Sequence, residues 1–342
     1  MALLIQKNGE NAIASRIEFE LYCPRPVKIM TIIAAADVGG TTIKLALVQD
    51  SVLLARAEIP AEAEAGLAPA LERMVSAWRN LCNRSSIPFE QIGAFGISFP
   101  GIIDPRTERV WITPAGKFED SRTIDLQHWA QNRLQRPIAV CNDAKAALAG
   151  EWRFGAARGA SNAAMMTLGT GVGTAVIMNG APLNGAHGLA GNAAGHVTID
   201  LSGPQCLCGN IGCVESEGSS WAMRRQAEAH PGFAASCLAT AHPLDYKALF
   251  AAARDGDALA IELRDRSLRA WAVGAANMIN NFDPEILIIG GGVAVAADLI
   301  LPCISSHIRK HAWAQWEVPV VAAQLGNDAG LLGIAHLAAE RL

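Results

Sequence analysis

Asp37-Val38-Gly39-Gly40-Thr41-Thr42-Ile43-Lys44 stands between two apolar runs, Thr31 to Ala36 and Ile43 to Val48. A short glycine turn between such runs reads as a β-hairpin. The pattern recurs later in the chain, where Ala163 to Leu168 leads into Gly169-Thr170-Gly171-Val172-Gly173 and then Thr174 to Met178. Laying Gly39 on Gly169 superimposes two strand-turn-strand units and predicts an internal duplication, with one unit opening each half. Two related domains facing each other would enclose a cleft.

The chain has 342 residues, which at roughly one domain per 150 residues predicts two domains. Its 51% hydrophobic content suffices for two cores and excludes disordered and fibrous classes. Against 32 Asp and Glu stand 28 Lys and Arg, a net charge of −4. No bulk positive field is available to hold nucleic acid or an anionic membrane, so small molecules are the expected partners. Aromatic content of 6% with 32 glycines fits a turn-rich α/β enzyme. Eight cysteines are too sparse for a disulfide scaffold, and the N-terminus lacks a basic region followed by a long apolar core. A reducing cytoplasm is therefore expected. The longest uncharged stretch, Ser161 to Gly195 with His187 taken as neutral, is broken throughout by Gly, Thr and Asn. It predicts turns between buried strands, since a spanning helix needs about 20 predominantly apolar residues.

Residues 1–29 match nothing that follows and are expected to stand outside the fold. An N-terminal α/β domain is then expected over 30–141 and a C-terminal one over 142–329. A terminal helix within 330–342, Gly330 to Glu340, would pack back towards the first. Helices are predicted at Pro69 to Asn80, from Asn142-Asp143 through Trp152, and at Ser219 to Ala229, Pro243 to Ala253 and Ala258 to Phe282. Buried strands are predicted at Ile92 to Ile97, Ile138 to Cys141 and Glu285 to Ile289. This alternation favours α/β architecture with mixed sheets.

Asp37 places a carboxylate at a strand end, where it can order a Mg²⁺ through water. The turn after it, Gly39, Gly40, Thr41 and Thr42 with Lys44 beyond, offers bare amides and hydroxyls to phosphate oxygens. Gly169, Thr170, Gly171 and Gly173 repeat that logic. Neither is a Walker loop, because no Gly-Lys-Ser/Thr follows. Asn142-Asp143 closes a buried strand and opens a helix, which is an ordinary capping position; beside a phosphoryl-transfer site it would also serve as a base. His196, Cys206, Cys208 and Cys213 form His-x9-Cys-x-Cys-x4-Cys in a glycine-rich loop. Three sulfurs and one imidazole make a closed tetrahedral set suited to structural Zn²⁺. Cys23, Cys82, Cys141, Cys237 and Cys303 have no such spacing. Gly290, Gly291 and Gly292 directly follow a buried strand, where backbone can approach a ligand closely.

Taken together, Asp37-Val38-Gly39-Gly40-Thr41, Pro100-Gly101, Asn142-Asp143-Ala144, Gly169 to Gly173, Gly195-His196, the Cys206 to Cys213 loop with Glu215, and Gly290 to Val293 resemble the ROK family of sugar kinases and repressors. The resemblance runs from about Met30 to the C-terminus. It implies two ribonuclease-H-like domains of actin/hexokinase type and transfer of the γ-phosphoryl of ATP to a hexose or N-acetylhexosamine hydroxyl, most often the 6-OH. Asp143 would be the general base, with Asn142, Asn192, His196 and Glu215 around the sugar. Asp37 with Mg²⁺ and the two glycine loops would hold the phosphates, and Gly291 and Gly292 would lie near the nucleoside. Zinc would organise the sugar pocket, and a homodimer is implied.

The sequence departs from the family where sugar is contacted. In place of Gly-Glu-x-Gly-His it has Gly191-Asn192-Ala193-Ala194-Gly195-His196, so either Asn192 or Ala193 replaces the acid. An amide adds a donor and weakens acceptance from hydroxyls, which favours a sugar preference other than glucose. Ser98 stands where glycine is frequent, and Gly116-Lys117-Phe118-Glu119-Asp120 has little likeness to the usual segment. A DNA-binding repressor would need a compact helical domain ahead of Asp37, and Glu10 to Tyr22 lack a basic recognition-helix pattern. A sugar sensor without turnover is the remaining rival, opposed by the retention of Asp37 and Asp143.

Overall fold

The computed structural model describes residues 31–313 and 316–342, so the expected 1–29 extension lies outside the described residues. The chain starts with β1 (Ile32–Val38), β2 (Thr42–Gln49) and β3 (Val52–Pro60), then α1 (Leu67–Arg84), β4 (Ile92–Phe99) and a small hairpin, β5 (Ile102–Ile103) and β6 (Val110–Ile112). There follow α2 (Leu126–Arg133), β7 (Ile138–Asn142) and α3 (Asp143–Phe154). The second half opens on β8 (Ala163–Leu168), β9 (Val172–Met178) and β10 (Ala181–Pro182). Helices α4 (Val214–Gly218), α5 (Ser220–Ala229), α6 (Tyr246–Arg254) and α7 (Ala258–Phe282) lead to β11 (Ile286–Gly290), α8 (Ala297–His311), β12 (Val320–Ala322) and α9 (Ala329–Ala339).

Two five-stranded sheets result, ordered β3-β2-β1-β4-β7 and β10-β9-β8-β11-β12. The two orders are equivalent strand for strand, as a duplication requires. In each, the opening hairpin is antiparallel and the later strands run parallel to its first strand. β1 is buried on both faces and reads as an unbroken apolar run. β3, at the edge, alternates between exposed and half-buried positions. α1 lays Leu67, Leu71, Met74, Trp78 and Leu81 on the first sheet. There the Trp78 indole donates to the Ala35 carbonyl at 3.2 Å and meets Phe95 edge-on.

The opposite face of the first sheet is covered by α9, whose Leu331, Leu332, Ile334 and Ala335 pack on Ile33, Ala35 and Ala94. α3 contributes Ala144 and Leu148 to the second sheet. These two helices pack on each other and join the halves. Glu151, fully buried on α3, fastens the joint by accepting from the Ala156 and Leu325 amides at 2.8 and 2.7 Å.

The stretch from Ser161 to Gly195 forms β8, β9, β10 and loops. Among the described residues one helical segment, Gly292–His311, is long and apolar enough to cross a membrane by length and composition. Its Ile300, Ile304 and Ile308, four residues apart, instead form one stripe buried in the second core.

Element ends shift from the sequence expectation by a few residues, and each shift has a local cause. The helix expected from Pro243 starts at Tyr246, because the Asp245 side chain caps it by accepting from the Ala248 amide. α1 begins two residues before Pro69, since the Asp120 carboxylate accepts from the Leu67 and Ala68 amides. Glu151→Ala is expected to lower unfolding stability by about 1–3 kcal/mol, because two part-buried amides lose their acceptor. Urea denaturation monitored by circular dichroism measures the loss.

Candidate active site

The register of the first sheet sets its carboxyl edge. Asp37 on β1 lies opposite Ser98 on β4, and Ser98 lies opposite Cys141 on β7, one residue before Asn142. Ser98, which departs from the family pattern, donates to Asp37 Oδ1 at 2.5 Å and fixes that carboxylate. On the other side of β1, Lys44 pairs with Asp37 across the antiparallel ladder, so the two side chains share a face.

Asn142 caps α3. Its Oδ1 accepts from the amides of Ala144 and Lys145 at 2.9 and 3.2 Å, and its Nδ2 donates to the Gly101 carbonyl at 2.9 Å. Asp143 is the first residue of the helix, and its Oδ1 accepts from the Ala144 amide at 2.8 Å. The carboxylate is open to solvent while protein packs densely around its other sides. That burial, and then the negative charge of Asp37, raise its pKa to about 6.

Asn192, rather than Ala193, is the position turned towards this row. Buried, it donates Nδ2 both to Asn142 Oδ1 at 2.8 Å and to the Thr174 carbonyl at 2.9 Å on β9. Asn142 Oδ1 is identified as oxygen by the two amides it accepts from, so the atom facing it must be a donor. A carboxylate has none. Asn192 therefore clamps the first sheet's last strand to the second sheet, a role no aligned acid could fill.

In the second half, the Gly169 to Gly173 turn closes β8 onto β9. The Gly169 carbonyl accepts from the Ser220 amide and hydroxyl at 3.0 and 2.8 Å, which anchors the turn to α5. The Glu215 carboxylate accepts from the Val172 amide at 2.9 Å and from the Trp221 indole at 3.3 Å. A Cβ on Gly171 would stand 2.5 Å from Glu215 Oε2, so only glycine permits this approach. Glu215, expected beside the sugar, thus also props the second glycine turn. The parallel pairing of β11 with β8 places Gly290 opposite Thr167, which brings Gly291 and Gly292 beside that turn. Ala144 of α3 lies against Gly173, so Asp143 is next to the second turn as well as to Asp37.

His196, Cys206, Cys208 and Cys213 converge, with all four donor atoms within 4.8 Å of one another. Cys206 Sγ is 3.7 Å from His196 Nδ1 and Cys208 Sγ is 3.8 Å from Cys213 Sγ. Bonds of about 2.0 to 2.3 Å to one central ion give such spacings, so the set fits tetrahedral zinc. Burial raises the thiol pKa values of Cys206, to about 11, and of Cys213, so both stay protonated unless a cation replaces the protons. Cys213 immediately precedes α4, on which Glu215 sits. The cluster therefore fixes the helix that props the glycine turn.

Two features of this neighbourhood have no sequence signal. Lys145 donates to Asn184 Oδ1 at 2.8 Å and to the Gly188 carbonyl at 2.9 Å, and burial lowers its pKa to about 8. It lines a cavity of about 300 Å³ between the halves, together with Glu108, Cys141 and Arg341. Arg341, at the chain's end, pairs with the buried Glu108 carboxylate.

The description "ROK family" matches residues 33–341. The chain belongs to the ROK family. It is 33% identical over 314 residues to a glucokinase of Thermotoga maritima, covering 90% of this chain and 96% of that one. It is 30% identical over 276 residues to the transcriptional repressor Mlc of Escherichia coli, covering 78% of this chain and 66% of the repressor. Among solved structures, a ROK family glucokinase from Streptomyces griseus in complex with glucose and AMPPNP superposes with a TM-score of 0.73. That protein is 31% identical, and the match covers 90% of this chain and 99% of it.

Asn192→Asp tests the clamp. It is expected to destabilise the protein more than Asn192→Ala, because it turns a buried carboxylate onto two acceptors. Each change should cost on the order of 1–3 kcal/mol. Denaturant midpoints give the order, and an Asp variant as stable as wild type would contradict it.

Proposed function

We propose that this ROK family member is an ATP-dependent sugar kinase that transfers the γ-phosphoryl of ATP to a hexose or N-acetylhexosamine hydroxyl, with Asp143 as general base. The observation that carries the reading is the position of Asp143, which feels the charge of Asp37 and directly precedes Ala144, itself packed against Gly173 of the second glycine turn. A raised pKa makes Asp143 a stronger base than an ordinary aspartate while leaving it ionised at neutral pH.

Asp143 accepts the proton of the sugar hydroxyl as that oxygen bonds to the γ-phosphorus. The bond from phosphorus to the bridging β-oxygen breaks, and ADP leaves with the electron pair. The Gly39 and Gly169 amides close their own turns by donating to the Thr42 and Gly171 carbonyls, so the backbone amides of Gly40 and Thr41 and of Thr170 and Gly171 face the phosphates, and Gly291 and Gly292 flank the nucleoside. Asp37, held by Ser98, is the side chain suited to a hydrated Mg²⁺, which when bound supplies charge neutralisation to the phosphates. His196, Cys206, Cys208 and Cys213 would hold Zn²⁺ in a structural role. Positioning and charge neutralisation supply most of the acceleration in such a reaction.

Since Asn142 and Asn192 spend their amide nitrogens on protein oxygens, and Asn142 Oδ1 is taken by protein donors, sugar hydroxyls are left to Asp143, His196, Glu215 and the Asn192 side-chain oxygen. Sugar preference then follows from how few acceptors surround the ring. The kinase reading is supported by relatives that include a glucokinase of nearly equal length.

Purified protein with Mg·ATP should release ADP in a sugar-dependent manner from a panel of glucose, mannose, fructose, allose, glucosamine, N-acetylglucosamine and N-acetylmannosamine. Asp143→Asn should abolish that release. As the base must be ionised, kcat/KM should be constant above pH of about 6 and fall about tenfold per unit below it. A bound protein without turnover on any sugar would favour the sensor reading. Separately, Cys208→Ser should lose stoichiometric zinc by elemental analysis while Cys82→Ser keeps it; unchanged zinc in the Cys208 variant would contradict the metal assignment.

A further inference from the structure

We propose that Lys117 is a further catalytic residue, whose ammonium group neutralises the phosphoryl group in transit at the first glycine turn. The inference rests on the kinase reading and adds a residue to it.

The Lys117 side chain lies flat on Gly40. A Cβ built on Gly40 would stand 2.5 Å from Lys117 Nζ and 3.3 Å from both Cδ and Cε. Gly40 is not among the glycines with positive φ, so the backbone alone does not demand a glycine there. The space a Cβ would take is filled by the end of this lysine, which a larger residue would push aside. Among the described residues no hydrogen bond or ion pair takes the ammonium, although the side chain is half-buried.

Its position is also built. The Lys117 amide donates to the Pro114 carbonyl at 3.1 Å, and its own carbonyl accepts from the Thr113 hydroxyl at 2.8 Å. The next residue, Phe118, donates its amide to the Ala63 carbonyl at 2.7 Å and buries its ring completely, 5.4 Å from Phe99. Lys117 thus stands on a pinned turn that delivers its side chain across the mouth of the glycine turn. Gly40 follows closely on Asp37, whose charge acts on Asp143. A phosphoryl group held at the first glycine turn would meet this ammonium, and a cation there stabilises charge developing in the transition state.

Chemically, Lys117 moves no proton and forms no bond. It offers N–H donors and one positive charge to the equatorial oxygens of the phosphoryl group in transit. The contact should therefore be stronger to a triphosphate than to a diphosphate, and strongest in the transition state.

Three variants test this: Lys117→Met, Lys117→Arg and Gly40→Ala, the last keeping the charge but displacing it. Thermal midpoints near wild type confirm folding. With the panel sugar that wild type turns over fastest, Lys117→Met should lower kcat on the order of 100-fold, the loss typical of one transition-state donor, with the sugar KM little changed. Lys117→Arg should recover part of the rate, and Gly40→Ala should fall in the same direction as Lys117→Met. By calorimetry, Mg·AMPPNP should bind Lys117→Met more weakly than wild type while Mg·ADP binds both alike. A Lys117→Met variant with wild-type kcat, or one that weakens ADP as much as AMPPNP, overturns the assignment while leaving the kinase reading intact. A wild type that binds neither nucleotide and phosphorylates no sugar would instead defeat the kinase reading, and this assignment with it.

Discussion

The parallel register of β1, β4 and β7 is the constraint on which the site depends. It draws Asp37, Ser98 and Asn142-Asp143 into one row along the carboxyl edge of the first sheet. Two carboxylates on that edge repel, and the protein holds them there by hydrogen bonds that favour charge. Ser98 donates to Asp37, and the first-turn amide of Ala144 donates to Asp143. Burial first, and then the charge of Asp37, still leave the pKa of Asp143 raised. Groups perturbed in this way mark places where charge is kept for chemistry.

The second half is fastened to that row by a small number of polar contacts. Asn192 joins Asn142 to β9, while α3 and α9 join the sheets through apolar packing and the buried Glu151. On the far side, the Cys₃His cluster sits immediately before α4, and Glu215 on that helix holds the Val172 amide. Metal loop, helix and glycine turn thus form one mechanical series. If the cluster holds a metal, as proposed, its loss would loosen the second glycine turn through this series.

Much of this was legible in the sequence because it is local. The paired strand-turn-strand units, the Asn142-Asp143 cap and the Cys₃His spacing each lie within one short stretch, and the apolar runs reveal the buried strands. What escaped is set by contacts distant in sequence. Nothing near Asn192 announces that its partners are Asn142 and the Thr174 carbonyl. Glu215 read as a sugar acceptor, while its bond to Val172 depends on how α4 meets the turn. Ser98 and Lys117 looked like mere departures from a pattern. Their meaning lies across the sheet, at Asp37 and Gly40. The strand β3 carries a clear period-two alternation that the sequence reading passed over, and α8 is masked by Pro302 and its start just after a glycine triplet.

The account's central claim is that one cleft holds sugar at Asp143 and triphosphate between the two glycine turns. A crystal structure of the protein soaked with glucose and Mg·AMPPNP tests it most directly. Phosphate oxygens are expected within hydrogen-bond distance of the amides of Gly40–Thr41 and Thr170–Gly171, and a sugar hydroxyl on the Asp143 carboxylate. Triphosphate bound away from both turns, or a sugar seated without contact to Asp143, would contradict it.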